Sequence, residues 1–167
     1  MDHLNQMSKE EFINTFKNVV EYTPETATFL VLHRPFQCVD SIILGVSKYL
    51  DQQNGQKLRD ILNSHPDLCG RLAMQNKLSI ESTSEQSGTG LLGLSPKDQQ
   101  RISELNAMYR SSFGFPFVIC VRLSNFKLIM YELERRLKNS SEVELINGIE
   151  QVKKIAALRI RDICAKL

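Results

Sequence analysis

Apolar residues recur along this chain at spacings of three and four, which gather one face of an α-helix. Ser8 with Glu11 three positions later forms a capping box, and Phe12, Ile13, Phe16, Val19 and Val20 follow at helical spacing. Thr23-Pro24 reads as an N-cap with proline at the first helical position, and that helix is expected to run to about His33, before Arg34-Pro35. A third helix is expected from Val39 to Gln52. Leu58, Ile61 and Leu62 form the apolar face of a fourth, ending at His65-Pro66. The polar stretch 79–87 suits a short helix. Ser95-Pro96-Lys97-Asp98 opens a long one through Ile102, Leu105 and Met108, with Gly114 as its C-cap. Ser124 begins another, with Leu128, Ile129, Leu133 and Leu137. Ser141 with Glu144 reads as a second capping box, starting a last helix that carries Ile146, Ile149, Val152, Ile155 and Leu158.

The exception to this pattern is Phe115-Pro116-Phe117-Val118-Ile119-Cys120-Val121, which is short, continuously apolar and β-branched. Propensity alone makes it a strand, yet a lone strand leaves its peptide groups unpaired. It is therefore expected to be an extended segment threaded between helices, with amides offered to something else. The expected fold class is all-α: a single domain over residues 1–167, a multi-helix bundle with one short extended segment near residues 115–121.

Composition narrows this picture. A chain of 167 residues is long enough to bury one real core, and 42% hydrophobic with 24% charged residues is ordinary for a globular protein. The net charge of +2, with Lys and Arg spread along the chain, gives no electrostatic ground for a nucleic-acid partner. No apolar run approaches the ~20 residues that span a bilayer, so no membrane partner is expected. The N-terminus lacks the charged-then-apolar form of a signal peptide. Cys38, Cys69, Cys120 and Cys164 are scattered without a CxxC pair, which suits reduced, packed thiols in an intracellular protein without disulfides.

The candidate chemistry centres on Asn63-Ser64-His65-Pro66-Asp67-Leu68-Cys69-Gly70-Arg71. Proline biases its predecessor toward extended backbone, so the His65 imidazole is expected to project from a helix end where a ligand can reach it. Histidine is also the side chain best placed to exchange a proton near neutral pH. His65 and Cys69 have the four-residue spacing of a metal pair or a Cys–His dyad. Pro66 breaks that geometry, however, and no further ligand lies nearby in sequence, so Cys69 reads as a packed small residue and no metal site is expected. Gly88-Thr89-Gly90-Leu91-Leu92-Gly93 matches GxGxxG literally, but it has no βαβ context and reads as a turn. Ser84-Glu85-Gln86-Ser87 can offer a carboxylate and an amide to a polar ligand, although composition alone favours a solvated helix face. Arg159 sits on an otherwise apolar helix, where an arginine is rarely buried without an anionic partner. It is expected either to bind a substrate carboxylate or carbonyl or to pair with an internal acid, while Arg135, Arg136 and Arg161 read as surface residues. The terminal Ala165-Lys166-Leu167 differs from the peroxisomal Ser-Lys-Leu by one small residue.

Several of these pieces fall together in one order. His65-Pro66-Asp67-Leu68 with Gly70, Glu81-Ser82 with Glu85-Gln86-Ser87, Phe113-Gly114-Phe115-Pro116-Phe117-Val118, and Val152-Lys153-Lys154-Ile155 with Leu158-Arg159 resemble the 2-oxo-4-hydroxy-4-carboxy-5-ureidoimidazoline (OHCU) decarboxylase family. The likeness covers nearly the whole chain, including Arg34-Pro35-Phe36. Cys69 and Thr89 depart from it only in being small residues where many members have alanine. The resemblance implies an all-helical, usually dimeric enzyme that needs neither metal nor organic cofactor and catalyses the last step from urate to (S)-allantoin. It implies His65 as the catalytic histidine, with Pro66 shaping the pocket beside it. It further implies substrate contacts from Ser82, Thr83, Ser84, Glu85 and Gln86, with Glu85 the key carboxylate. The backbone of Phe117, Val118, Ile119, Cys120 and Val121 and the guanidinium of Arg159 complete the implied set.

Animal members are often peroxisomal, which strengthens the reading of Ala165, Lys166 and Leu167 as a signal for the import receptor; the alternative location is the cytoplasm. Three other classes compete. They are a helical binding module that keeps the fold without activity, a hydrolase acting on a related ureido compound, and a zinc enzyme built on His65 and Cys69.

Overall fold

Several helices start where a side chain accepts from a free amide of the first turn. The protein's structure, a computed structural model, describes residues 1–68 and 94–167. Eight α-helices are found among them: α1 (Asp2–Gln6), α2 (Lys9–Phe16), α3 (Glu25–Val31), α4 (Val39–Asp51), α5 (Gly55–Ser64), α6 (Pro96–Phe113), α7 (Phe126–Arg136) and α8 (Ser141–Cys164). A 3-10 turn at Val121–Leu123 follows the extended segment, and no strand occurs among the described residues. The all-helical expectation holds, and the apolar run before that turn is extended without becoming a strand.

Ser8 caps α2 by accepting from the Glu11 amide at 3.1 Å, but the helix stops at Phe16, leaving Val19 and Val20 buried in the turns beyond it. Ser95 caps α6 by accepting from the Asp98 amide at 3.1 Å, and Gly114 closes that helix with φ of 76°, a left-handed conformation that costs glycine little. Three caps differ from expectation. The Thr23 hydroxyl turns back to the Glu21 carbonyl at 3.0 Å instead of capping α3. Asn125 caps α7 by accepting from the Leu128 amide, while the Ser124 hydroxyl donates to the Cys120 carbonyl. The capping box expected at Ser141 is replaced by Ser140, and Glu144 is drawn into the interior.

The chain divides into two compact units, Met1–Ser64 with Val152–Leu167 and His65–Gln151. In the first unit α2 packs on α3 and α3 on α4. Phe12, Phe16, Ala27, Leu30, Ile42, Val46 and Leu50 are buried there with Ala156 and Ile160 of α8. Gly45 is the point of closest approach, since a Cβ there would lie 2.6 Å from the Leu30 Cδ2 atom. Arg34-Pro35-Phe36 secures the N-terminal segment. Arg34 lies over the Phe12 ring at 5.0 Å and donates to the Met7 carbonyl at 2.6 Å, while Phe36 exchanges two backbone hydrogen bonds with the Asn5 amide.

In the second unit α6 packs on α7. Its core joins Ile102, Leu105, Ile129 and Leu133 to an aromatic cluster in which the Tyr109 ring lies 4.5 Å from Phe113 and 5.2 Å from Phe117. Each fully buried ring of this kind contributes about 1.5–3 kcal/mol through area removed from water.

Candidate functional site

Pro66 ends α5 at Ser64 by disfavouring helical backbone at the residue before it, so His65 is the first residue past the helix. The His65 side chain is buried, only 2% exposed. Asp67, two positions on, pairs with Arg110 of α6 at 3.2 Å and ties the His65-Pro66-Asp67 turn to that helix. Both partners are partly exposed, so the pair adds geometry more than stability.

The extended segment is also buried, with Phe117 at 1% and Ile119 at 6% exposure. Side chains hold it where a neighbouring strand would in a sheet. Arg136 of α7 donates from Nη1 to the Val118 carbonyl at 2.9 Å, and the Cys120 amide donates to Oε1 of Gln151 on α8 at 3.1 Å. Arg136 is not the surface residue its sequence context suggests: it is 2% exposed and lies 4.6 Å from the Phe117 ring centroid. Its Nε donates to Glu144 Oε2 at 2.8 Å and its Nη2 to the Tyr109 hydroxyl at 3.1 Å. Tyr109 donates in turn to Glu144, whose other oxygen accepts from Asn139 at 2.6 Å and Asn147 at 2.8 Å.

Burial alone would push the Glu144 carboxyl up. The hydrogen bonds from Tyr109, Asn139 and Asn147 and the Arg136 charge outweigh it, so its pKa lies below the usual carboxylate value. Burial raises the Tyr109 phenol well above its ordinary value; Arg136 opposes the rise and the hydrogen bond to Glu144 supports it.

Arg159, in the first unit, has an internal acid as a partner. It pairs with Glu21 at 2.8 Å, each side chain 2% exposed, and donates from Nη1 to the Asn18 carbonyl at 2.7 Å. Both partners lie in the turns between α2 and α3, next to Tyr22, whose φ of 46° is left-handed. Glu21 neutralises the guanidinium and fixes its position. Arg135 and Arg161 are surface residues as expected, paired with Glu132 and Asp40.

The predicted contacts Ser82, Thr83, Ser84, Glu85 and Gln86 lie outside the described residues, as do Cys69 and the glycine turn 88–93. Among the described residues no group of three or more His, Cys, Asp or Glu is placed to hold a metal ion. No helix there is long and apolar enough to cross a membrane.

Sequence reasoning missed Arg136, Glu144 and Glu21. A signal existed for two of them. Arg136 continues the buried stripe of Ile129 and Leu133 on α7, and Glu144 lies in helical register with buried Val152 and Ala156 on α8. A charge on an apolar stripe marks an internal pair. Nothing local distinguishes Glu21.

Comparison with known proteins adds a family and a fold. A family model described as OHCU decarboxylase matches residues 5–161. The chain is 39% identical over 163 residues to the 2-oxo-4-hydroxy-4-carboxy-5-ureidoimidazoline decarboxylase of Xenopus laevis, covering 98% of this chain and 93% of that one. The protein of the same name from Amia calva is 40% identical with the same coverage. Among solved structures, OHCU decarboxylase crystallised in the presence of (S)-allantoin matches with a TM-score of 0.71 at 21% identity, covering 94% of this chain and 98% of that one. (S)-allantoin synthase matches with a TM-score of 0.79 at 21% identity over 97% of this chain, which spans about half (53%) of that protein.

Proposed function

Since the chain belongs to the OHCU decarboxylase family, we propose that it converts OHCU to (S)-allantoin with release of carbon dioxide, His65 acting as general acid/base. The observation that carries this reading is the family match over residues 5–161, which includes His65-Pro66 at the end of α5. In the reaction the bond between the ring carbon and its carboxylate breaks. Its electron pair passes into the adjoining C=N, whose nitrogen takes up a proton; the resulting enol then loses its hydroxyl proton to become the carbonyl as a proton adds to the ureido-bearing carbon. The substrate is its own electron sink, so the protein's task is to orient the ring, favour loss of the carboxylate and deliver the proton to one face.

His65 delivers that proton. Burial supports this role, because a closed site keeps the carbanion-like intermediate away from bulk water. Glu85, with Ser82, Thr83, Ser84 and Gln86, holds ring or ureido N–H groups, and Pro66 shapes the wall beside the imidazole. Arg159, held by Glu21, grips a carbonyl or the departing carboxylate. The peptide groups of residues 117–121 hydrogen-bond the ring. The family likeness further supports a homodimer, which light scattering on the purified protein tests. The final three residues are exposed and follow the end of α8, which supports recognition of Ala165, Lys166 and Leu167 by a peroxisomal import receptor. Fusing the last dozen residues to a fluorescent protein tests that, and a purely cytosolic signal refutes it.

The test of the reaction is to generate the substrate in situ from urate with its upstream enzymes and follow circular dichroism. The expected result is rapid growth of the (S)-allantoin signal, reduced about 10²–10⁴-fold in His65→Ala. Decay to racemic product at the spontaneous rate would refute the activity, and a fully active His65→Ala would refute the assignment of the proton donor.

A further inference from the structure

We propose that Gln151 and Arg136 are positioning residues for the substrate, holding the extended segment by one edge so that the peptide groups of Phe117 and Ile119 face the ring from the other. The inference rests on the proposed function above and assigns specific atoms to it. In an extended chain, successive residues present their N–H and C=O groups to opposite edges. Residues 118 and 120 therefore share one edge, and both side-chain clamps fall on that edge: Arg136 on the Val118 carbonyl at 2.9 Å and Gln151 on the Cys120 amide at 3.1 Å.

Residues 117 and 119 share the other edge. Among the described residues no hydrogen bond reaches the backbone N–H or C=O of Phe117 or Ile119, although both residues are buried. Peptide groups removed from water are nearly always paired, so the unpaired edge of a buried segment is poised for a ligand with complementary polar atoms. A cyclic imide-like ring, with N–H and C=O side by side, is such a ligand.

The clamp is itself rigid. Glu144, Asn147 and Gln151 are spaced i, i+3 and i+7 along α8 and so lie on one face. Glu144 and Asn147 fix Arg136, while Gln151 reaches the chain directly. The Arg136 guanidinium also stacks on the Phe117 ring, which fixes the side chain of the residue whose peptide group is offered.

The decisive variants are at Gln151, which is only partly buried and touches one amide. Gln151→Met keeps length and removes the acceptor, whereas Gln151→Glu keeps an oxygen for the Cys120 N–H. Steady-state turnover of substrate generated from urate is measured with melting temperature and with amide exchange at Cys120. The expected result is a fall in kcat/KM of about 10- to 100-fold in Gln151→Met, borne mainly by KM, with the fold retained and with Gln151→Glu close to wild type. A packing role alone would lower the melting temperature of both variants and leave KM unchanged. Wild-type kcat and KM in a folded Gln151→Met would overturn the proposal. If the wild-type protein shows no turnover, the functional reading fails and the substrate half of this proposal with it. The clamp is still decided by exchange at Cys120, which must quicken in Gln151→Met and recover in Gln151→Glu; unchanged exchange overturns it.

Discussion

Replacing Glu144 by glutamine should be among the most damaging single-atom changes in this protein. The carboxylate is fully buried and its partner Arg136 is 2% exposed, so the substitution leaves a guanidinium in the interior without a counter-charge. It also presents an amide N–H₂ where the wild-type oxygens accept from Arg136, Tyr109, Asn139 and Asn147. Breaking one partner of a buried pair costs about 3–5 kcal/mol. For a chain of this size each kcal/mol moves the midpoint by about 2–4 °C, so Tm should fall by about 6–20 °C. The control is Glu132→Gln. It breaks the 2.7 Å pair with Arg135 on the partly exposed face of α7, a type of pair worth about 0–1 kcal/mol. Thermal melts followed by circular dichroism, with urea unfolding at fixed temperature, measure both. Arg136→Met combined with Glu144→Leu should recover part of the loss, since it removes both charges together. A Glu144→Gln protein that melts with the Glu132→Gln control would refute the view that this pair secures the second unit.

Other expectations follow from the same geometry. The Glu144 pKa is depressed in the folded protein, so its contribution to stability is present above the ordinary value of 4.5 and lost as pH falls toward the depressed one. Urea midpoints should therefore decline below about pH 4.5 more steeply in wild type than in Glu144→Gln. Tyr109 is shifted the other way, so its contribution holds below its ordinary value of 10.0 and fades as pH rises beyond it; Tyr109→Phe should flatten the alkaline limb of the same titration. Glu21→Gln should loosen Arg159, raising KM for the urate-derived substrate more than it lowers kcat, and an unchanged KM would remove Arg159 from the substrate site. Gly114→Ala meets no atom within 4 Å, so its expected cost of about 1–2 kcal/mol comes from left-handed backbone alone, and an unchanged urea midpoint would contradict that.

Much of the fold was legible in the chain because helices are built from local rules. Ser8, Ser95 and Gly114 cap where their chemistry requires, Pro66 ends α5, and the three- and four-residue periodicity separates α4, α5 and α6 correctly. The candidate site was legible where a residue type conflicts with its surroundings, as with Arg159 on an apolar stripe and the strand-like run 115–121 in a helical protein. What could not be read locally was pairing across distance. Whether Arg159 meets Glu21, or Arg136 meets Glu144 and the Val118 carbonyl, depends on which segments the tertiary structure brings within about 3 Å, the range at which a charge-assisted hydrogen bond forms. The same long-range competition took Glu144 from its expected capping box, because a buried guanidinium stabilises a carboxylate more than a solvated helix end does. The sequence by itself thus determined the helical class, several of the helix ends and which residue types stand out. The tertiary structure alone decided which charges were buried together and which peptide groups of the extended segment are held by side chains.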